Sequence, residues 1–411
     1  MDGEGWGSIP FVAETFRRYY QSRGELVQAP PEIRSREFAF LSFGGRSMQR
    51  HTAFDDIQQL HRRLADSAPA HVYYSSAYYE APEAEMEWKG WMGADLVFDI
   101  DADHIDSPCK ADHDRWRCRA CGEEGAGRAP EGCPRCGKAA FDEETWFCER
   151  CLELAKFEAN KLLDIIIQDF GFSPAAGGLE VNFSGNRGYH VHVRSPDVRG
   201  LDQLARREIV DYVMGIGIDP EHHGFGGRAG SPTMAEGGWR GRAVKALYDY
   251  VAHAAPEDLK RLDLGGAAAR SILEGRGEIL RLLREGPARG VLKHIRPKPL
   301  GRLMEAAVKE QASAIDTVVT TDVNRLIRLS NTLHGKTGWL AQTVAIDELE
   351  DYDPQISAVA LTGGTETVHV REAPRFRIGD ELYGPYADER VELPLAAAVF
   401  LLCKGAARVE R

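Results

Sequence analysis

Four acidic residues interrupt the segment DLVFDIDADH (residues 95–104), which otherwise has the apolar composition of a buried strand. If residues alternate as in an extended strand, Asp99, Asp101 and Asp103 share one face, and most of the apolar residues share the other. Neighbouring carboxylates repel each other and raise each other's pKa unless a cation lies between them. The segment is therefore either a solvated strand face or a site for divalent cations, and the other motifs must decide between the two.

Six of the eight cysteines form three C-x-x-C pairs, a spacing that indicates metal binding rather than disulfides in an intracellular chain. Two pairs are separated by 11 residues, which is typical of a zinc ribbon. The third pair can be completed by Cys109 and His113, or by His104 as an alternative fourth ligand, in a knuckle at the base of the ribbon. Closed four-ligand zinc sites stabilise small folds, so we predict two structural zinc ions. The predicted ligands are Cys118, Cys121, Cys133 and Cys136 in the ribbon, and Cys109, His113, Cys148 and Cys151 in the knuckle.

A second polar motif lies in EVNFSGNRGYHVHV (residues 180–193). Alternating apolar residues on both sides of SGNRG predict a hairpin with a tight loop. The loop brings together the hydroxyl of Ser184, the guanidinium of Arg187 and the imidazole of His190, the groups that a phosphate chain requires. The alternative is a polar turn with an exposed histidine.

A third motif, AIDTVVTTDVNRLIRLSNTLHGKTGW, covers residues 314–339. Its spacing predicts a short helix over residues 323–330, followed by a turn that carries His334 and Lys336. Arg328 lies off the apolar face of this helix, and Asp316 precedes it. The triplet GKT imitates a P-loop, but Ser330 stands where the P-loop requires glycine, so we reject that interpretation.

Composition describes a globular chain of 411 residues with a formal net charge of −12. The N-terminal residues lack the pattern of a signal peptide, and no apolar run is long enough to span a membrane, so we expect a soluble, cytoplasmic protein. Between Trp239 and Arg302 there are 14 Lys and Arg against 7 Asp and Glu. This local excess indicates either a nucleic-acid contact or a set of solvated, ion-paired helices. A loop with no assigned role is expected at residues 222–232.

Taken together, the motifs resemble the small, catalytic subunit of archaeal and eukaryotic DNA primases, the archaeal form in particular. FDID (98–101) looks like the metal-binding D-x-D strand of that family, SGNRGYH (184–190) like its S-G-x-R-G-x-H motif and HGKTG (334–338) like its H-x-K-T-G turn. Asp316 lies 18 residues before His334, where the family carries its third carboxylate. Three motifs in the right order are far more specific than any one of them. The ribbon is additional to the knuckle that the family usually carries.

The resemblance implies a two-metal nucleotidyl transferase that makes RNA or DNA primers on single-stranded DNA during replication. Asp99, Asp101 and Asp316 would hold two Mg²⁺ or Mn²⁺ ions, because hard cations prefer carboxylate oxygens. Asp95 and Asp103 are left outside this set. The residues expected to bind the nucleoside triphosphate are Ser184, Arg187, His190, Arg328, His334, Lys336 and, as a weaker candidate, Arg36.

The resemblance also implies an α/β core with a mixed sheet flanked by helices, formed by residues 1–200 and 298–411. The zinc-binding insertion would occupy residues 105–151 within it, and the helical pattern of residues 201–297 predicts a smaller inserted domain. A large regulatory subunit is the implied partner, in a heterodimer.

Two alternatives use the same residues differently. A repair-type or template-independent polymerase of the same superfamily would need the same carboxylates. A non-catalytic zinc-ribbon adaptor for nucleic acids would not, and the retention of three acids with Arg187, His190 and His334 argues against it, because buried repelling charge has no use in an inactive scaffold.

Overall fold

The computed structural model describes residues 8–45, 47–146, 148–174, 178–219, 221–225 and 230–410. These residues form two compact units. The core unit comprises the described residues within Met1–Phe157, Pro174–Gln203 and Asp316–Arg411, and the helical unit those within Glu158–Ser173 and Leu204–Ile315. All candidate site residues belong to the core unit.

Two four-stranded sheets dominate the core unit. The strands of the first, in spatial order, are Leu326–Arg328, His71–Ser75, Phe38–Leu41 and Gln49–Thr52. The strands of the second are Gln342–Val344, Leu179–Phe183, Gly188–Val193 and Leu96–Asp101. Their apolar side chains, such as Phe38, Phe98 and Phe183, are completely buried, which is why these short β-branched and aromatic runs are stable as strands.

Smaller sheets complete the core unit. Three strands form the inserted ribbon, in the order Glu124–Ala126, Arg115–Cys118 and Phe141–Glu144. Near the end of the chain, Tyr386–Pro394, Thr365–Ala373 and Ala407–Val409 form another sheet. The two hairpins are Ala77–Tyr79 with Trp91–Ala94 and Phe376–Ile378 with Glu381–Tyr383.

Helices surround these sheets and build the helical unit. The helices of the core unit are Ile9–Arg23, Ile57–Ser67, Lys110–His113, Pro196–Arg199, Thr317–Thr321, Pro354–Ser357 and Leu395–Cys403, together with the beginning of Glu149–Gln168. The helical unit contains Gln203–Val213 from its second residue, Gly238–His253, Pro256–Arg261, Gly266–Glu274, Arg276–Glu285 and Pro297–Gln311. Its core is built from aliphatic side chains such as Leu247, Leu283 and Leu303, spaced as amphipathic helices require.

The predicted α/β class is confirmed, and so are the strand at residues 96–101 and the hairpin around SGNRG. The structure differs from the sequence analysis in two details. First, the described strand pairs of the two main sheets are antiparallel rather than mixed, because a tight hairpin joins Leu179–Phe183 to Gly188–Val193. Second, the helix predicted over residues 323–330 is wrong: a helix covers Thr317–Thr321, and Leu326–Arg328 is a strand paired with His71–Ser75.

The loop predicted at residues 222–232 lies partly outside the described residues. In its described part, Glu221–Phe225 form a turn of π-helix. Within the described part of the chain, no helix has the length and apolar character needed to cross a membrane.

Candidate active site

The predicted carboxylates meet at one end of the strand Leu96–Asp101. Asp99 and Asp101 lie on the same strand face, and Asp316 begins the helix Thr317–Thr321, where its side chain accepts a hydrogen bond from the Val318 N–H at 2.9 Å. The backbone N–H of Asp316 donates to the carbonyl oxygen of Asp99 at 2.8 Å. This bond fixes a residue 217 positions further along the chain beside the strand. We call Asp99, Asp101 and Asp316 the carboxylate cluster, because the charges of Asp101 and Asp316 both act on Asp99.

The cluster carries more negative charge than its surroundings compensate. Burial, together with the carboxylates of Asp101 and Asp316, raises the pKa of Asp99 to about 7, against the opposing effect of Arg325. A carboxyl group in this position is half protonated near neutral pH unless a cation approaches it. The cluster is therefore suited to divalent cations, which prefer carboxylate oxygens.

Two predicted phosphate ligands lie on or beside the neighbouring strand Gly188–Val193: His190 is within it, and Arg187 is in the loop directly before it. In the antiparallel register His190 is opposite Asp99 and Gly188 is opposite Asp101. His190 Nε2 is 3.4 Å from Asp99 Oδ1, and Arg187 Nε is 3.5 Å from Asp101 Oδ1. A side chain at Gly188 would collide with the Ile100 carbonyl oxygen, so glycine permits this close pairing.

Arg187 is held from two directions. Its guanidinium forms an ion pair with Asp103 and donates from Nη1 to the carbonyl oxygen of Trp146 at 3.3 Å. Arg187 is buried, as is His190, whose Nδ1 has no hydrogen-bond partner among the described residues. Burial also keeps the pKa of His190 well below its usual value, so the ring is neutral.

The loop of the hairpin interlocks with the HGKTG turn. Ser184 Oγ accepts hydrogen bonds from the Asn186 N–H at 3.4 Å and the Gly188 N–H at 3.2 Å. Gly185 has φ of +81°, and a Cβ atom there would lie 2.9 Å from His334 Cβ. The hydroxyl of Thr337 donates to the Gly185 carbonyl oxygen at 2.6 Å. The two motifs predicted to bind phosphate are thus packed against each other.

Arg328 lies behind this turn on the strand Leu326–Arg328. It is buried, and its guanidinium donates to His71 Nδ1 at 2.8 Å and to the Tyr73 hydroxyl at 3.1 Å. Burial, Arg328 and Lys336 lower the pKa of His71 to about 2, so the ring is neutral and can accept this bond. Among the described residues Arg328 forms no ion pair with a carboxylate, and a buried cation of this kind favours an anionic ligand.

His334 and Lys336 occupy the turn itself. His334 is buried, and burial together with Arg328 keeps its pKa well below the usual value. Its Nδ1 accepts a hydrogen bond from the Lys336 N–H at 3.2 Å, so the proton of the neutral ring resides on Nε2 and is available to a phosphate oxygen. The side chain of Lys336 is exposed and can reach outward.

Arg36 does not join this group. It is completely buried, with its guanidinium 2.8 Å from Asp95 Oδ2 and 3.5 Å from the centre of the Tyr78 ring. It also donates to the carbonyl oxygens of Pro31, Ser75 and Ser76. A guanidinium with this many internal partners has a structural role, so we leave Arg36 out of the proposed binding set.

Both predicted cysteine clusters are assembled. In each, the four ligand atoms lie within 4.8 Å of one another. Sulfur atoms in a tetrahedral zinc site with Zn–S bonds of about 2.3 Å are about 3.8 Å apart. In the ribbon cluster, Cys118–Cys136 and Cys121–Cys133 are each 3.6 Å apart. In the knuckle cluster, Cys109 Sγ and His113 Nε2 are 3.4 and 3.3 Å from Cys151 Sγ. The alternative ligand His104 is exposed and lies outside the cluster.

Hydrogen bonds connect the knuckle cluster to Arg187. His113 Nδ1 is 2.9 Å from Asp114 Oδ1, and the same carboxylate oxygen accepts from the Trp146 N–H at 3.1 Å. The carbonyl of Trp146 in turn accepts from Arg187. Sequence analysis missed Asp114 and Trp146, as well as His71, since nothing in their local pattern shows that they contact the site. Only the general preference of metal-bound histidines for a carboxylate partner could have suggested Asp114.

The basic excess between Trp239 and Arg302 is partly neutralised. Arg242 Nη1 is 2.6 Å from Asp164 and its Nε is 2.5 Å from Asp169, both within the helical unit. Further ion pairs are formed by Arg240, Arg261, Arg281, Arg284 and Arg302. We therefore build no nucleic-acid site on this excess.

An α/β core in which clustered carboxylates face a neutral histidine and a buried arginine is typical of enzymes that transfer nucleotidyl groups with divalent ions. Comparison with known proteins agrees: the family model described as DNA primase small subunit matches residues 139–346. The chain is 33% identical to the DNA primase small subunit PriS of Cenarchaeum symbiosum, over 96% of this chain and 97% of that protein. It is 35% identical to the PriS of Methanothrix thermoacetophila (97% and 98%) and 33% identical to that of Methanococcoides burtonii (97% and 97%). The chain therefore belongs to the DNA primase small subunit family.

Proposed function

We propose that this chain is the catalytic subunit of a DNA primase, which joins nucleotides into short primers on single-stranded DNA during replication. The observation that carries the proposal is the cluster of Asp99, Asp101 and Asp316, fixed by the 2.8 Å hydrogen bond between Asp316 N–H and the Asp99 carbonyl and placed beside Arg187 and His190. The family relationship supports it, since relatives over nearly the whole chain are named DNA primase small subunits.

The three carboxylates would hold two Mg²⁺ or Mn²⁺ ions. The raised pKa of Asp99 supports this assignment, because burial and the two neighbouring carboxylates disfavour its charged form unless a cation is near. When bound, such ions activate the attacking 3′-hydroxyl and stabilise charge on the leaving pyrophosphate. Asp316, fixed through its backbone to the strand of Asp99, keeps the ligands of both ions in register.

The cationic and neutral donors around the carboxylates would bind the triphosphate. Arg187 borders the carboxylates and would contact the α-phosphate, where charge develops during the reaction. His334 would donate from Nε2, and the Ser184 hydroxyl, which accepts from the Asn186 N–H, would donate to a further phosphate oxygen. Buried Arg328 supplies positive charge from behind the turn, and exposed Lys336 would close over the ligand. His190 beside Asp99 completes the set.

The two cysteine clusters would each hold a structural zinc ion. Their sulfur and nitrogen spacings fit a tetrahedral ion, and four protein ligands leave no position for substrate. Neither ion would take part in the chemical step. By the name of its relatives the chain is a small subunit, so we propose a large regulatory subunit as its partner.

The test is primer synthesis by the full chain on single-stranded DNA with labelled ribo- and deoxyribonucleotides and Mg²⁺ or Mn²⁺. Wild type is compared with Asp101→Asn, and Asp106→Asn is the matched control, because Asp106 is an exposed aspartate outside the cluster. We expect new oligonucleotides from wild type and control, and a loss of at least about a hundredfold for Asp101→Asn. Zinc content and thermal unfolding of all three proteins exclude misfolding.

Other outcomes separate the alternatives. Extension of a supplied primer without initiation would support a repair-type polymerase, and addition without template a template-independent one. Equal activity of wild type and Asp101→Asn would mean that the carboxylate strand is not the catalytic site.

A further inference from the structure

The apolar helix Leu395–Cys403 lies directly under the HGKTG turn. A Cβ atom at Gly338 would be 2.8 Å from Val399 Cγ1, and the rings of Trp339 and Phe400 are stacked with centroids 5.7 Å apart. Lys404 is the C-cap residue of this helix, and its backbone N–H donates to the Phe400 carbonyl oxygen at 3.0 Å. Lys404 is therefore fixed at the point where the helix leaves the turn.

The side chain of Lys404 extends toward the residues that hold Arg187. Its Nζ donates to the carbonyl oxygen of Thr145 at 3.3 Å and lies 5.9 Å from the centre of the Trp146 ring. Arg187 donates to the carbonyl oxygen of the same Trp146. Two cations that are 217 residues apart in the chain, Arg187 and Lys404, thus contact the same short segment.

Asp101, Arg187 and Lys404 follow one another in space along this segment. Arg187 Nε faces Asp101 at 3.5 Å, whereas its Nη1 faces the backbone of Trp146, whose ring is next to Lys404. Arg187 therefore lies between the carboxylates and Lys404. A triphosphate with its α-phosphate at the carboxylates would reach Lys404 with its outer phosphates after passing Arg187.

The electrostatic surroundings of Lys404 favour an anionic ligand. Burial, together with the cations Arg187 and Lys336, lowers the pKa of Lys404 to about 7, against the opposite effects of Cys403 and Asp114. After burial, the neighbouring positive charges thus have the largest effect on the pKa of Lys404. A polyanion placed among these three cations would relieve their repulsion and keep Lys404 protonated.

We propose that Lys404 is a further nucleotide-binding residue, which contacts the β- or γ-phosphate of the incoming nucleoside triphosphate. The inference rests on the proposed function, because it takes the triphosphate site as given. It makes the last helix of the core unit part of substrate recognition, and it assigns to Lys404 the discrimination of triphosphates from shorter nucleotides.

A purely structural role would use the same contacts differently. A lysine after the last turn of a helix interacts favourably with the helix dipole, and its stem can pack on Trp146 and Phe400. In that case the loss of Lys404 would weaken the binding of all nucleotides equally, or would affect only the stability of the folded protein. Only a phosphate contact produces a loss that depends on the number of phosphates.

The experiment is calorimetric binding of nucleoside tri-, di- and monophosphates to the full chain in Mg²⁺. Wild type is compared with Lys404→Gln and Lys404→Arg, and Lys309→Gln controls for the removal of one charge at an exposed lysine. We expect Lys404→Gln to bind the triphosphate roughly ten- to a hundredfold more weakly, since a charge-assisted hydrogen bond is lost. The monophosphate should be unaffected, and Lys404→Arg should recover part of the loss.

A second measurement needs no variant and therefore does not depend on folding. Wild type is labelled with an amine-reactive anhydride and the modification of Lys404 is followed by mass spectrometry. Triphosphate should protect Lys404, and monophosphate should not.

The outcomes distinguish this inference from the proposed function. Equal weakening of all three nucleotides, unchanged triphosphate binding in Lys404→Gln, or labelling of Lys404 that is insensitive to triphosphate would each overturn the role of Lys404. Wild-type primer synthesis would still stand in those cases. If wild type bound no triphosphate at all, the proposed function itself would fail, and the role of Lys404 with it.

Discussion

The two cysteine clusters have the same ligand chemistry but different surroundings. The ribbon cluster is carried by three short strands, and the side chains near it form exposed ion pairs such as Arg119–Asp142 at 2.7 Å. The knuckle cluster is bordered by buried Asp114, whose carboxylate connects His113 to the backbone of Trp146 and so to Arg187. The spacing of the ligands thus predicts which metal a cluster would bind. The hydrogen bonds made by residues around the ligands determine which other parts of the protein rely on that metal.

This difference predicts that a zinc ion in the knuckle cluster would support the proposed phosphate site and that one in the ribbon cluster would not. The direct test removes one ligand from each cluster and compares the effects on primer synthesis. Milder substitutions test the same difference between the clusters.

Cys151→Ser should have the largest effect. Loss of a knuckle ligand removes much of the binding free energy of a structural zinc, roughly 10 to 16 kcal/mol, and frees Trp146 from its support. We expect the loss of one of the two zinc ions and a fall in primer synthesis of at least about a hundredfold. Metal analysis and the primer assay measure both. Near-normal synthesis by a chain without knuckle zinc would refute the connection to Arg187.

Asp114→Asn should have an intermediate effect, because it alters the partner of His113 without removing a ligand. Loss of such a partner weakens metal binding by about 10- to 100-fold. Zinc transfer to a chromophoric chelator measures this change. Asp112→Asn is the control, since Asp112 is an exposed aspartate two positions away. If both variants release zinc at the same rate, Asp114 has no special role.

Magnesium should stabilise the protein by an amount that depends on pH, unlike the closed zinc sites. In the metal-free protein the folded pKa of Asp99 is about 7, above its unfolded value, so the folded state binds more protons between these values. Stability is therefore lost as pH rises from about 4 to 7, where Asp99 becomes charged beside Asp101 and Asp316. Added Mg²⁺ compensates that charge and should raise Tm by several degrees at pH 8 and much less at pH 5.5.

Thermal unfolding with and without Mg²⁺ checks this expectation. Asp316→Asn should reduce the difference between the two pH values, because one of the repelling charges is gone. A gain in Tm that is the same at both pH values would contradict the assignment of the raised pKa to the carboxylate cluster.

Cys133→Ser should have the smallest effect on catalysis. It removes the ribbon zinc, but primer synthesis should stay within about twofold of wild type, as for a change remote from the site. The primer assay and metal analysis are the same as for Cys151→Ser. A loss as large as that of the knuckle variant would show that the ribbon contributes to the reaction, for example by contacting the template.

Much of the site was predictable because its motifs are local. The alternation in LVFDID and the glycines around Arg187 predict strand and hairpin from neighbouring residues alone, and C-x-x-C spacing defines both clusters. The segment 323–330 was mispredicted because pairing of Leu326–Arg328 with His71–Ser75 outweighs its helical spacing. Strand formation there depends on a partner some 250 residues away, which no local pattern contains.

Residues that act through distant contacts were beyond such reasoning. His71, Asp114 and Lys404 have no distinctive neighbours in the sequence, and each contacts the site only after the chain has folded. Arg36 is the opposite case, because the sequence offers it as a weaker candidate ligand, but Asp95 and three backbone carbonyl groups already accept hydrogen bonds from its guanidinium. Whether a charged side chain can bind a ligand depends on its burial and on its partners within the protein, rather than on its residue type.

The position of the helix Leu395–Cys403 under the HGKTG turn also affects when the nascent chain can complete its active site. On the ribosome, Asp101 is made 303 residues before Lys404, an interval of roughly 15 to 60 s at about 5–20 residues per second. During this interval Asp99 and Asp101 already exist, but Asp316 is made only 88 residues before Lys404, and the helix under the HGKTG turn and the proposed phosphate ligand Lys404 come last. A nascent chain would therefore be inert until translation has passed this helix, so that synthesis of the protein itself delays its first encounter with nucleotides.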